Sequence, residues 1–346
     1  MRLIFMKKDR LVWADLLRIS ACIMVIGIHT SGQFYYLYER LSAGWWISVA
    51  INSLGHFAVP SFFMLSGMFM LDPNRGGTIK HIYTHSIPKM IELIIFSIIV
   101  SIGVVIVCRI FGAKIEYTND APIHTIFWLM IMYSFTPALR CIAKERDILK
   151  YSIVVLVVLT VIISPIRCSY VSQISTVISE AEKLVFSLTF YLLGYYLNTT
   201  KCCIKTYNLV IGIIIGYIIH FVELYIGMDN KDFILNRIDS NSTIQFNTIC
   251  ISVCVFLLFR NIVSKFRLND RIAPVINMLA ISTMYIYVTH MGILKLLNKS
   301  GLLSNSAFQV PFWIIINFFI SLIIALIYIK SKTILKLKVY SDLEDK

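Results

Sequence analysis

Arg18 and His29 are two ionisable side chains inside one long apolar run near the start of the chain. Burying such groups in apolar surroundings is costly, so their presence calls for a function. They are eleven residues apart, which places them about 20° apart around a helix and about 16 Å apart along it. The two side chains therefore share one stripe. A guanidinium at one end could bind an anion, and an imidazole at the other could accept a proton.

Asp15 lies one helical turn before Arg18. An ion pair between them would lower the cost of burying either charge. A simpler interpretation is that both side chains extend to the inner membrane interface. For His29, which lies deeper in the run, the simpler interpretation is that the imidazole only packs against neighbouring side chains.

His290 lies in a second apolar run, about seventeen residues from its start. If both runs cross in the same direction, His290 lies about 25 Å deep, close to the depth of His29. Two imidazoles at one depth could share a cavity, one acting as a general base and the other orienting the substrate. Periodicity does not say whether they face each other.

His220 and Glu223, one turn apart in a further apolar run, are additional candidates for substrate binding. They can equally be packing residues. His56 and Glu92 are weaker candidates of the same kind.

The composition fixes the environment of these side chains. Hydrophobic residues make up 58% and charged residues 15% of the 346 positions, and the mean hydropathy is +0.78, values that exclude a water-soluble domain. The net charge of +13 does not indicate nucleic-acid binding, because the cations lie in short gaps between apolar runs. The cysteines show no metal-ligand spacing, so no metal site is predicted.

The pattern predicts an all-α membrane protein, a bundle of about ten transmembrane helices forming a single domain over residues 1–346. Each span needs about twenty apolar residues. The predicted spans are 12–35, 45–71, 88–111, 122–139, 150–167, 183–198, 207–228, 243–261, 274–297 and 311–335.

The loop charges predict the orientation. With a cytoplasmic N-terminus, the inner segments carry 21 Lys and Arg residues and the outer loops carry seven. Cytoplasmic loops are enriched in these residues, so both termini are predicted to be cytoplasmic. The short loops leave no room for a soluble catalytic domain, and any chemistry must take place within the bundle or at its mouths.

The segment WADLLRISACIMVIGIHTSGQ, residues 13–33, resembles the first helix of the acyltransferase-3 family of membrane O-acyltransferases. That helix carries Arg and His separated by ten residues, here Arg18 and His29.

Three further stretches resemble signatures of this family, in the family's order. They are VPSFFMLSG (59–67) in the second span, FWLMIMYSFTPALR (127–140) in the fourth, and STMYIYVTHMGIL (282–294) in the ninth. The resemblance covers essentially the whole chain.

The resemblance implies a bacterial multi-pass protein of the plasma (inner) membrane. It implies transfer of acetyl from acetyl-CoA to a hydroxyl of a surface polysaccharide or its lipid-linked precursor, as in relatives that modify enterobacterial common antigen or O-antigen. The family often carries Arg-x-x-Arg after its second helix. This chain has His85, Pro88 and Lys89 there, which leaves Lys89 as a candidate donor contact.

Two routes fit the resemblance. Arg18 could hold a donor phosphate or the thioester while His29 deprotonates the sugar hydroxyl, or His29 could carry the acyl group covalently. Ser61 and Ser66 of the second span favour close helix packing over nucleophilic attack. A polysaccharide exporter or flippase without acyl transfer is the alternative function, because polar groups inside a bundle can also line a conduit.

Overall fold

The computed structural model describes residues 11–35, 38–72, 79–110, 120–169, 173–200, 204–226, 246–265, 269, 271–299 and 309–344. These residues are almost entirely helical and include no strand. The helices are α1 (Val12–Tyr35), α2 (Ala43–Leu54), α3 (Ala58–Met70), α4 (Ile79–His81), α5 (Ile87–Ile110), α6 (Asp120–Lys144), α7 (Arg146–Ser169), α8 (Gln173–Thr199), α9 (Thr206–Ile226), α10 (Phe246–Ile262), α11 (Ala273–Lys299) and α12 (Gln309–Glu344).

Seven helical segments of the described chain are long and apolar enough to cross a membrane. They are Val12–Phe34, Ala43–Met70, Ile79–Ile110, Ile123–Lys144, Asn247–Lys265, Ala273–Leu297 and Gln309–Ile334. The remaining predicted spans fall on α7, α8 and α9, and the apolar part of α9 described here is the shorter Thr206–Val222. A multi-pass helical protein is therefore confirmed, whereas ten spans and cytoplasmic termini stay predictions.

The helix boundaries differ from the predicted spans at several places. The second span is broken by a 3₁₀ turn at Gly55–Phe57, which separates α2 from α3. Pro137 lies within the predicted fourth span, and α6 continues through it to Lys144. The last span was predicted to end at 335, whereas α12 continues to Glu344, because a helix does not need to stop where the apolar run stops.

α1 lies at the centre of the bundle and contacts α2, α3, α10, α11 and α12. Its fully buried side chains include Leu17, Ala21, Cys22 and Ile26. A helix that is apolar on most sides must be covered on most sides. The position of α1 explains how side chains on different faces of one helix can meet several partners.

The backbones of α3 and α8 are in close contact. A Cβ atom at Gly67 would overlap the backbone of Tyr191, and one at Gly194 would overlap the backbone of Met64. Small residues let helix backbones touch in membranes, where dispersion and packing replace the hydrophobic effect.

Two arginines bind carbonyl groups at the ends of this pair. Arg140 donates through Nε and Nη2 to the carbonyl of Met70, at 3.0 and 2.6 Å. Arg260 donates to the carbonyls of Leu197 and Thr200 at the end of α8. The last carbonyls of a helix have no partner within the helix and carry partial negative charge. These guanidinium groups therefore stabilise the C-terminal ends of α3 and α8. We call this end of the bundle the arginine end.

Gly67→Ala should separate α3 from α8 and lower the free energy of unfolding by about 1–3 kcal/mol, because the new methyl group meets backbone that cannot rotate away. The midpoint of thermal denaturation in detergent measures the effect. Gly103→Ala is the matched control, since a Cβ there meets nothing within 4 Å. Equal midpoints for the two variants would contradict the close contact.

Candidate functional site

His29 and His290 face each other across the contact between α1 and α11. Their ring centroids are 5.3 Å apart and their planes are inclined by 41°. Two helical turns before His29, the Cys22 thiol lies 3.5 Å from the carbonyl oxygen of Thr283. Both pairs are separated by 261 residues in sequence, so the two helices run parallel and in register. The prediction that the two imidazoles lie at one depth holds, and the structure adds that they face each other.

The ring of His290 is held in one orientation. Its Nδ1 lies 2.6 Å from the carbonyl oxygen of Tyr287. Because a carbonyl only accepts, Nδ1 carries the proton and Nε2 keeps its lone pair. Nε2 is buried and has no hydrogen-bond partner among the described residues. His290 is completely buried, whereas His29 is only half-buried, so His29 is the imidazole that a substrate can reach.

A polar group on α12 fixes the backbone that carries His290. The side-chain amide of Asn317 donates to the carbonyl of His290 at 3.1 Å, and the Ser321 hydroxyl donates to the Asn317 carbonyl oxygen at 3.1 Å. All three residues are buried. A rigid surrounding shell is what keeps a reactive side chain in place.

Arg18 and Asp15 form the predicted ion pair, with Arg18 Nη1 3.8 Å from Asp15 Oδ1. The side chain of Arg18 is 26% exposed and that of Asp15 is 10% exposed, so the guanidinium remains accessible. Its charge acts electrostatically on the hydroxyl of Tyr133 in α6. That hydroxyl donates to Ser66 of α3 at 3.3 Å. Arg18 therefore belongs to a polar region formed by three helices.

The stripe between Arg18 and His29 is closed. Cys22 and Val25, the two residues of the stripe that separate them, are fully buried. The cation and the imidazole thus lie in two accessible regions on either side of a dry segment, and no continuous solvated groove joins them along this face.

His220 lies in a second histidine pair, apart from the first. Its ring is 4.1 Å from that of His56, and its Nδ1 lies 3.4 Å from the amide nitrogen of Asn247. Both imidazoles are buried. Glu223, predicted beside His220, falls on α9, but its side chain lies outside the described residues.

Lys89 and Glu92 occupy the start of α5. Lys89 is exposed. Glu92 pairs with Lys332 of α12 and accepts hydrogen bonds from the hydroxyls of Tyr285 and Tyr328, at 3.0 and 3.4 Å. This cluster joins α5, α11 and α12.

The contacts of several site residues could not be predicted from the sequence. Asn317, Ser321 and Tyr133 are ordinary polar residues in apolar helices, and only the packing of helices distant in sequence shows what they contact. Asn317 could have been noticed as a lone amide in a long apolar run, which usually marks an interhelical hydrogen bond. Within the described side chains, no three His, Cys, Asp or Glu residues come together as a metal site.

The comparison with known families identifies the chain. A family model described as an acyltransferase domain, Acyl_transf_3, matches residues 11–330. The chain belongs to the acyltransferase-3 family. No curated protein and no solved structure matches it.

Membership in the acyltransferase-3 family makes the chain a multi-pass membrane acyltransferase and agrees with the resemblance seen in four sequence motifs. The matched region contains both histidine pairs and Arg18. The family assignment therefore favours acyl transfer over export as the activity of this chain.

Lys332→Met should lower the free energy of unfolding by about 1–3 kcal/mol, because it leaves the Glu92 carboxylate without its cation. The double variant Glu92→Gln and Lys332→Met should be more stable than Lys332→Met alone, since no unpaired charge remains. Thermal denaturation of the single and double variants in detergent gives the coupling. Additive effects would show that the two side chains do not interact.

Proposed function

We propose that this protein is an O-acetyltransferase that moves acetyl from acetyl-CoA to a hydroxyl of a surface polysaccharide or of its lipid-linked precursor. The observation that carries the proposal is the contact between His29 and His290, inside a chain of the acyltransferase-3 family. A half-buried imidazole beside a fully buried one is suited to remove a proton from an alcohol.

His29 is the base of the proposed reaction. It takes the proton of the sugar hydroxyl while the oxygen attacks the thioester carbonyl. The new C–O bond forms, the C–S bond breaks, and coenzyme A leaves as a thiolate that recovers the proton. His290, whose Nδ1 donates to the carbonyl of Tyr287, keeps the lone pair of Nε2 and orients the substrate beside the ring of His29.

Arg18 is the donor contact of the proposed reaction. Its guanidinium is accessible at the arginine end, where it is paired with Asp15 and lies near the hydroxyl of Tyr133. Guanidinium groups bind phosphate in a two-pronged geometry. Acyl-CoA is made in the cytoplasm, so this assignment places the arginine end on the cytoplasmic side. Lys89, exposed near the start of α5, is a second cation available to the donor. Asp15 contributes by holding Arg18.

The closed stripe at Cys22 and Val25 bears on the route of the acyl group. Direct attack at His29 requires the pantetheine arm to pass this level, so α1 and α11 must separate there or the arm must follow another face. A covalent acyl-histidine intermediate would need the same passage once per turnover. Both routes keep His29 as the reacting group.

His29→Ala should abolish O-acetylation of surface glycans, because the group that accepts the hydroxyl proton is gone. The test restores each variant to a deletion strain and reads O-acetyl groups on purified glycans by NMR. His124→Ala, an exposed histidine of α6, is the matched control and should restore normal acetylation. Normal O-acetyl levels in the His29 variant, at equal protein in the membrane, would remove His29 from the mechanism.

Arg18→Gln should raise the KM for acetyl-CoA about ten- to a hundredfold, the loss expected for hydrogen bonds from a charged group worth about 1.5–3 kcal/mol. The KM of purified protein in detergent is measured by release of coenzyme A. Arg146→Gln is the control, since Arg146 is exposed and contacts Thr200 at 3.4 Å. An unchanged KM in the Arg18 variant would assign the donor to other cations.

A further inference from the structure

The stripe of α1 that carries His29 stays open beyond it, on the side away from Arg18. Gly32 and Gln33 lie one turn further along the helix, and Gln33 is exposed. A Cβ built at Gly32 would have no heavy atom within 4 Å. Gly27, on another face of the same helix, would already contact Ile51 at 3.4 Å. Open space next to His29 therefore lies at Gly32.

Packing does not explain a glycine at this position. Glycine inside a helix costs about 1 kcal/mol relative to alanine, and such a cost is usually balanced where another backbone approaches, as at Gly67. Among the described residues, no heavy atom lies within 4 Å of the position that a Cβ would take at Gly32. The absence of a side chain at Gly32 leaves space beside the half-buried imidazole of His29.

Access to His29 is one-sided in the described chain. Toward Arg18 the stripe is sealed by Cys22 and Val25. Beyond Gly32 the large side chains are packed together, with Phe34 and Tyr38 stacked at 5.6 Å and Phe34 fully buried. Gln33 is the polar side chain left exposed on this stripe, and its amide can both donate to and accept from a hydroxyl group.

We propose that Gly32 and Gln33 form the entrance for the acceptor, so that the alcohol reaches His29 from the end of the bundle opposite to Arg18. Gly32 leaves the space that a bulky carbohydrate needs, and Gln33 forms hydrogen bonds with its hydroxyl groups. This inference rests on the proposed function, because it assigns the acceptor side of the same site.

The two substrates would then enter from opposite ends of α1. The donor binds at the cation and the acceptor at the imidazole, on either side of the sealed segment. Residue 32 would set an upper limit on the size of the acceptor without touching the donor.

Access can be tested without knowing the acceptor. Gly32→Cys is expressed in intact cells and treated with a charged methanethiosulfonate reagent that does not cross membranes. The expected result is labelling several-fold above that of the wild-type chain, which contains its eight natural cysteines. Gly103→Cys is the control, because Gly103 is equally uncrowded but lies on α5 beside the exposed side chains Ile99, Ile102 and Ile106. It should not exceed wild type. No labelling at position 32 would overturn the proposed entrance.

The acceptor role is tested by side-chain size. Gly32→Trp should lower O-acetylation of surface glycans at least tenfold, whereas Gly32→Ala should lower it less than twofold. Acetyl-CoA affinity and the denaturation midpoint of Gly32→Trp should match wild type, and Gly103→Trp should acetylate normally. Normal acetylation by Gly32→Trp would overturn the acceptor role.

Failure of the proposed function gives a different result. If the wild-type chain adds no O-acetyl groups to the glycans of the deletion strain, the acetyltransferase proposal fails, and with it the identity of the acceptor. The labelling of Gly32→Cys would still report whether His29 is reached from that end.

Discussion

The parallel contact between α1 and α11 is the constraint on which the rest of the site depends. It brings His29 and His290 to one depth and turns them toward each other. An imidazole without a partner inside apolar protein is costly, and His290 avoids part of this cost by donating from Nδ1 to Tyr287. That hydrogen bond fixes the tautomer. A slip of one residue between α1 and α11 would turn one ring away by about 100° and dissolve the pair.

Other polar contacts maintain this register. Asn317 holds the carbonyl of His290 from α12, and the cluster at Glu92 joins α5, α11 and α12 toward the other end. Each contact pairs a polar group on one helix with a partner on another that is distant in sequence. Such hydrogen bonds contribute about 0.6 kcal/mol each in membrane proteins on average. The direction of these hydrogen bonds matters here more than their strength, because they select one helix arrangement among many that would pack equally well.

The sequence predicts features that depend on a single helix, but it does not predict features that depend on how two helices pack against each other. The ion pair of Asp15 with Arg18 and the shared stripe of Arg18 and His29 follow from helical geometry, and the structure reproduces the ion pair. The facing of His29 and His290 does not follow, because it depends on how far α1 and α11 rotate about their axes. The break at Gly55–Phe57 was also missed, since hydropathy is continuous across it. Pro137 does not end α6, although a proline inside a helix removes one backbone hydrogen bond.

The sealed segment between Arg18 and His29 keeps the two accessible regions of α1 separate. A continuous aqueous path along α1 would let ions and water cross the membrane and would expose the thioester of the proposed donor to hydrolysis. Burial of Cys22 and Val25 prevents both while leaving one charged group and one imidazole accessible. Only about 16 Å separates the two groups along the helix, a distance that the extended arm of a carrier such as pantetheine can span. In the proposed reaction, the uncharged thioester is the part of the donor that loses least hydration in a dry segment, whereas the phosphates would remain at the cation. In the proposed reaction, this arrangement would separate the charged and the reactive ends of the donor within the bundle.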